Sequence, residues 1–363
     1  MSRAIKTHYT DRIKEVIVHT GQHYDNNMSQ VFFDELGIPH PDYNLHVGSS
    51  THGVQTARMI EGIEKVLLEE KPDCIVLYGD TNSTLAGAVA ASKIHVPVVH
   101  IEAGLRSFNK HMPEEINRIV CDHCSTLLFT PTQAGFDNLT HEGFQTDNEG
   151  PFTIDNPKVY HCGDIMYDNS LHFSTIADQK ADILKRLGLE EKPYVPATLH
   201  RDGNTDNPDR LNAILEAFLE LSKDIAVVLP MHPRTRKMVE QLIDDEKLFR
   251  LFHSENIHVI EPVSFLEMIQ LEKHSSLILT DSGGVQKESY FFHKPCVILR
   301  PETEWVEIVE TGAACIADAD KDKILEASHR YLQKPPIDFP AIFGDGHAAE
   351  FILEKIQSSI RKP

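Results

Sequence analysis

The stretch Asp281-Ser282-Gly283-Gly284-Val285-Gln286-Lys287-Glu288 joins two unlike patterns. Before it, Ser276-Leu277-Ile278-Leu279-Thr280 is a short apolar run, which reads as a strand buried on both faces. After it, Ser289-Tyr290-Phe291-Phe292 can continue as a helix. A strand that turns directly into a helix is the unit of an α/β protein with a parallel sheet, and the turn leaves the first N–H groups of the helix without partners. Ser282, Gly283 and Gly284 let the backbone approach an anion at the positive end of that helix, and Glu288, one turn further, offers a carboxylate to neutral hydroxyls. The pattern points to a nucleotide diphosphate held by backbone and a ribose held by carboxylate. The same glycines would also serve simply to turn a strand into a helix.

Working outward, the same alternation recurs along the chain. Strands are expected at 15–19, 73–78, 96–101, 127–129, 159–162, 194–199, 225–229, 258–260, 277–280 and 296–299, with helices at 28–36, 51–70, 83–93, from Pro113 onward, and between the later strands. Residues 145–157 form a polar loop without periodicity, a crossover between domains is expected near 164–175, and a last helix covers roughly 348–359. The fold class is α/β with parallel sheets.

The totals narrow the function. At 363 residues, two domains are expected. The formal charge of −20 argues against a nucleic-acid or anionic-membrane surface, so any anion site is a local exception. No apolar stretch is long enough to span a bilayer, and Met1-Ser2-Arg3-Ala4-Ile5 opens no signal peptide, so a cytoplasmic protein is expected. The six cysteines are scattered and read as reduced core thiols. Cys121-Asp122-His123-Cys124 has the spacing of half a zinc site, but no second pair exists and the segment reads as helix, so no metal is expected.

In open parallel sheets, ligands bind beyond the carboxyl ends of the strands. Polar residues collect there: Gln22 and His23, Asp80, Glu102, His200 and Arg201, His232 and Arg234, Glu261, and the Asp281 stretch. Asp80 would equally serve as a helix N-cap. Glu102 directly follows an apolar strand, where partial desolvation makes a neutral-pH acid or base, although a surface loop carboxylate would look the same. Glu114 and Glu115 fall in a first helical turn, where they stabilise the helix dipole in any case.

Taken together, Gly79-Asp80-Thr81, His100-Ile-Glu-Ala-Gly-Leu-Arg106, Pro113-Glu-Glu-Ile-Asn-Arg118, His200-Arg201, Thr280 to Glu288 and Thr303-Glu-Trp-Val-Glu307 resemble the non-hydrolysing UDP-N-acetylglucosamine 2-epimerases. The resemblance runs from about residue 16 to 312. It implies a GT-B fold: an N-terminal Rossmann-like domain over 1–168, a C-terminal UDP-binding one over 169–345, and a helix in 346–363 that can pack back on the N-terminal domain. It also implies inversion at C2 of a UDP-sugar, by elimination of UDP to a 2-acetamidoglucal and re-addition, with no cofactor and with a homodimer as the assembly. By the same resemblance Asp80, Glu102, Glu114 and His200 are catalytic. Ser282, Gly283, Gly284 and Glu288 hold UDP with Phe265, Arg201 and His232, and Gln22, His23 and Arg58 belong to a second, activating UDP-sugar site.

Three departures accompany the match. A strand and Gly-x-Arg-Pro loop expected ahead of Ser2 do not precede it, so the first domain is expected to lack its central strand and this form to be impaired. The loop Arg201-Asp-Gly-Asn-Thr-Asp206 and the segment Arg300-Pro-Glu-Thr-Glu-Trp-Val-Glu307 resemble instead the branch acting on UDP-2,3-diacetamido-2,3-dideoxyglucuronate. There Lys110, His111 or Arg234 would meet the sugar carboxylate. A GT-B glycosyltransferase and a non-catalytic UDP-sugar-binding protein remain open at this point.

Overall fold

The computed structural model describes residues 1–21, 37 and 39–360. They form two compact units, Met1–Asp168 with Ala341–Pro363, and Asn169–Pro340.

The second unit is one six-stranded sheet: β7 (Tyr194–Thr198), β8 (Ala226–Pro230), β9 (Ile257–Ile260), β10 (Ile278–Thr280), β11 (Cys296–Ile298) and β12 (Ala314–Ile316). All pairs are parallel, in the order β12-β11-β10-β7-β8-β9. Counted from β7, this is the 3-2-1-4-5-6 order of dinucleotide-binding sheets, in which the winding direction reverses between the first and fourth strands. Here that switch point lies between β7 and β10. Both are almost wholly buried, because helices cover both faces: Leu211, Ile214, Leu215 and Phe218 of the Pro208–Leu221 helix pack on Val195, Ala197 and Val227. The strand β12 is absent from the sequence expectation. Its run of Ala314, Cys315 and Ile316 is short, and only its pairing with β11 makes it a strand.

In the first unit, β3 (Ile75–Tyr78), β4 (Val98–Ile101), β5 (Leu127–Thr130) and β6 (Lys158–His161) form a parallel sheet in sequence order. The short strands β1 (Val18–His19) and β2 (Tyr43–Asn44) pair with each other as a separate parallel ribbon. The small-residue helix Asn82–Lys93 packs on His52–Glu70, since Ala86, Ala88, Ala90 and Ala91 allow close approach around Met59 and Ile63. Helix Ala348–Ser359 also belongs here. Its Ile352 enters the core beside Val99, Ile101, Leu127 and Phe129, and the buried Asp168 carboxylate accepts its first N–H groups, from Ala348 and Ala349. Gly163 permits that return of the chain: a Cβ there would lie 2.8 Å from the Phe343 carbonyl oxygen, and its φ is +81°. Cys121 and Cys124 close the Pro113–His123 helix, with Cys121 in the core. No group of three His, Cys, Asp or Glu among the described residues is placed to hold a metal ion. No helix among them is long and apolar enough to cross a membrane.

Candidate active site

In the first unit, the carboxylates expected from the sequence cluster beyond β3 and β4. Parallel pairing of Tyr78 with Ile101 puts the residues following these strands side by side. Glu102 Oε2 lies 3.3 Å from where a Cβ on Gly79 would stand, so its side chain reaches over Gly79 toward Asp80. Glu102 has φ +72°, a left-handed backbone that a glutamate adopts at a cost, and its own N–H and that of Ala103 both donate to the Phe129 carbonyl. Such strain persists only where the surroundings over-determine it.

Asp80 is not the N-cap of the next helix; that role falls to Thr81, whose side chain accepts from Thr84 N. Asp80 is instead ion-paired with Arg118, and its backbone carbonyl accepts from Asn117 Nδ2. Burial pushes the Asp80 carboxyl up, Arg118 pulls it down, and the charges of Glu102 and Glu114 push it up again, leaving it above the usual value. Three carboxylates therefore feel one another here. Glu114 is exposed at the start of its helix, whereas its neighbour Glu115 is buried and accepts from Ser107 N, Phe108 N and Arg118. Adjacent helical residues point about 100° apart, which separates a carboxylate open to a ligand from one that latches the 105–112 loop.

Beneath this cluster runs a buried charge relay that the sequence reading missed. His100, fully buried, places Nδ1 2.7 Å from Asp122 and Nε2 2.8 Å from the Gly79 carbonyl. Both partners are acceptors, so the ring must donate from both nitrogens and is an imidazolium. Asp122 continues to Arg106 at 2.7 Å, and Arg106 to Glu142. Burial alone would push the Asp122 carboxyl up, but His100 and Arg106 against it hold it below the usual range. The relay fixes the Gly79–Asp80 turn from below. Its signal was a strand histidine paired with an aspartate on the buried face of a helix, visible only once the two are paired in space.

The 105–112 loop also shapes an open cavity of about 620 Å³, lined by Phe108, Lys110, His111, His123 and others. Lys110 and His111 are exposed and make no ion pair among the described residues.

In the second unit, His200 and Arg201 follow β7 and the Asp281 stretch follows β10, so both flank the topological switch point. Asp281, fully buried, gathers them: it accepts from His200 N, Arg201 N and Asn204 Nδ2, and His200 Nδ1 lies 3.2 Å from its Oδ1. The His200 ring is thereby aimed by Asp281 with Nε2 left outward. Ser282 caps the Gly283–Phe291 helix by accepting from Val285 N. Gly284 is exposed and has open space where a side chain would stand, with only Ser282 Oγ nearby at 3.8 Å.

Glu288 lies on the same helix and shares its surroundings with Glu272 of the Phe265–Lys273 helix. Both Glu272 carboxyl oxygens are buried without a hydrogen bond, and burial followed by the Glu288 charge pushes its carboxyl well up. Burial pushes the Glu288 carboxyl up as well, and the Lys287 charge pulls it back down. Phe265 opens its helix with its ring edge-on to Phe173, centroids 5.4 Å apart. His232 is exposed and caps the Pro233–Leu242 helix by accepting from Arg234 N. Arg234 itself is engaged by Asp202 and Asp206, which removes it from the free cations considered for a sugar carboxylate. Arg58 is exposed on the His52–Glu70 helix. Gln22 and His23 lie outside the described residues.

The profile of the UDP-N-acetylglucosamine 2-epimerase family matches residues 5–357. The chain is 49% identical over 355 residues to the UDP-2,3-diacetamido-2,3-dideoxy-D-glucuronate 2-epimerase of Pseudomonas aeruginosa, spanning 98% of this chain and 94% of that protein. It is 43% identical to the UDP-N-acetylglucosamine 2-epimerase of Methanocaldococcus jannaschii, over 93% of this chain and 89% of the other. The crystal structure of the M. jannaschii enzyme in complex with UDP-GlcNAc and UDP superposes with a TM-score of 0.83 at 41% identity, covering 98% of this chain and 94% of that one. The Neisseria meningitidis enzyme bound to UDP-GlcNAc gives 0.81 at 28% identity, covering 96% and 93%. The two Rossmann-like units described above are of this GT-B-like class.

Proposed function

Since the chain belongs to the UDP-N-acetylglucosamine 2-epimerase family and is an isomerase of UDP-sugars, we propose that it inverts C2 of a UDP-2-acetamido sugar by elimination and re-addition of UDP. The observation that carries the mechanism is the grouping of three carboxylates, Asp80 and Glu102 just beyond the ends of adjacent strands and Glu114 in the first turn of the Pro113–His123 helix, with Asp80 raised by burial and further by the charges of the other two. One carboxylate removes the C2 proton as the C1–O bond to the diphosphate breaks, giving the 2-acetamidoglucal. A second acid returns a proton to the opposite face of C2 while the diphosphate oxygen re-adds at C1. Two acid/base groups are what such a step needs, and burial together with the neighbouring charges raises the Asp80 carboxyl toward that role.

In this reading Ser282, Gly283 and Gly284 cradle the departing diphosphate at the helix N-terminus, where its charge is stabilised as it develops. Glu288 accepts from the ribose hydroxyls, Phe265 lies by the uracil, and Arg201 and His232 belong to the nucleotide site. His200, aimed by Asp281, stands by the diphosphate or the sugar.

Of the two sugars, UDP-N-acetylglucosamine is the simpler substrate. UDP-2,3-diacetamido-2,3-dideoxy-D-glucuronate is favoured by the 49%-identical relative and by the unpaired Lys110 and His111, which suit a sugar carboxylate. Incubation with each in deuterium oxide, read by NMR, tests both levels. An epimerase places deuterium at C2 and forms the second epimer; a glycosyltransferase or a binding protein does neither. A homodimer is part of the same reading, checked by light scattering on the purified protein.

A further inference from the structure

The Gly283 end of the cradle carries a carboxylate of the chain's own. A Cβ built on Gly283 would lie 2.2 Å from Glu304 Oε1 and 3.8 Å from Arg300 Nη1, so this pair covers the first residue of the helix. A side chain at Gly283 would have to push the Glu304 carboxylate aside. Glu304 Oε2 is 3.0 Å from Arg300 Nη1, with the two side chains 26% and 14% exposed. The contact is one of charge without hydrogen-bond alignment, since Arg300 Nη1 is buried and makes no hydrogen bond. A buried guanidinium nitrogen with an unused donor thus faces the helix N-terminus.

The backbone around this pair is pinned independently. Thr303 Oγ1 donates to Gln286 Oε1 on the same helix at 2.5 Å, and Trp305 N donates to Thr303 Oγ1. The Lys287 amine sits 4.4 Å from the centre of the Trp305 ring. With both flanks of Glu304 fixed, its side chain can swing while the loop stays in place.

We infer that Glu304 is a displaceable counter-anion of the nucleotide site: it occupies the helix end and holds Arg300 when the site is empty, and a nucleoside diphosphate must displace it to take Arg300 for itself. The inference rests on reading Ser282 to Gly284 as the diphosphate cradle. Its physical basis is competition. The positive helix end and the single guanidinium attract either anion, and a carboxylate and a diphosphate held together there repel each other. Arg300, freed from Glu304, has the planar fork that phosphate oxygens fit. Every nucleotide that binds thus meets a site already partly neutralised, and its apparent affinity falls by the fraction of time Glu304 is out of the way.

The test is calorimetric titration of UDP into the full-length chain and its variants. Glu304→Gln keeps the shape and removes the charge, so it tightens UDP by about fivefold. Glu304→Asp, which keeps the charge, tightens it less, and Arg300→Gln weakens it by about tenfold or more. Loss of a merely structural contact would weaken binding, so tightening is diagnostic. Equal or weaker UDP binding by Glu304→Gln overturns the inference. Gly284→Asp separates this from failure of the cradle itself, since the open space at Gly284 accommodates an aspartate that repels a diphosphate. If Gly284→Asp binds UDP like the parent chain, the diphosphate lies elsewhere, and both the cradle and the Glu304 role fall.

Discussion

The two units build their sites by different means. In the first, ionised side chains are stacked in depth: Asp80 rests on Arg118, and the turn that carries it rests on the His100, Asp122, Arg106 and Glu142 relay. In the second, the proposed anion cradle is backbone at a helix end, steadied by one buried carboxylate, Asp281, whose partners are two main-chain N–H groups, a side-chain amide and a histidine. Proton transfer at a weakly acidic carbon needs groups whose protonation can be set, and only side chains in a shaped field provide them. Holding a charge that never changes protonation needs fixed dipoles, which the main chain already has.

The sharpest way to break this comparison is Glu102→Gln. We expect kcat to fall by about 10²- to 10⁴-fold with the melting temperature held, and deuterium incorporation at C2 to fall with it. Unchanged turnover would mean the first unit's carboxylates only shape the site. Next in size is Asp122→Ala, which leaves the buried His100 imidazolium without a carboxylate while Arg106 keeps Glu142. It should destabilise the protein by about 3–5 kcal/mol in urea unfolding, because the uncompensated charge of His100 stays behind. A loss no greater than that of an ordinary surface substitution would show that the relay is not fixed in depth.

Glu288→Ala should raise KM about tenfold with kcat held, the signature of binding shared equally by ground and transition states. A fall in kcat instead would give the second unit a share of the chemistry. The smallest effect is Glu272→Gln, read in the pH dependence of stability. A carboxyl raised in the folded state adds stability that is fully present below its unfolded pKa, about 4.3, and lost as pH rises through the folded value. The parent chain should therefore lose stability between pH 4 and pH 8 relative to Glu272→Gln, by about a few degrees in melting temperature. Parallel curves would mean Glu272 is charged in the fold.

The difference between the units also decides what the sequence could tell. The proposed cradle stands in one consecutive stretch: apolar run, Ser-Gly-Gly, carboxylate one turn on. The strands β3, β7, β8 and β10 were legible as consecutive, largely apolar runs, and β4 as such a run interrupted by His100. The relay was not, since His100, Arg106, Asp122 and Glu142 are spread over 43 positions and each has an ordinary local role. Asp80 looked like a helix cap until Thr81 took that place. Glu114 and Glu115 were indistinguishable in one dimension, and helical geometry alone gave the latch to Glu115. Arg234 offered a free cation on paper, and Asp202 and Asp206 consumed it.

One backbone angle carries a wider consequence. At φ +72°, position 102 is one where glycine would relieve strain that glutamate must bear, on the order of 1–3 kcal/mol for such a conformation. Selection for thermal resistance alone, applied to a library of this chain, should therefore enrich Glu102→Gly, and the winners would be robust and inert. On the role proposed for Glu102, durability and turnover pull against each other at a single residue, so a stabilised version of this protein has to be sought at other positions.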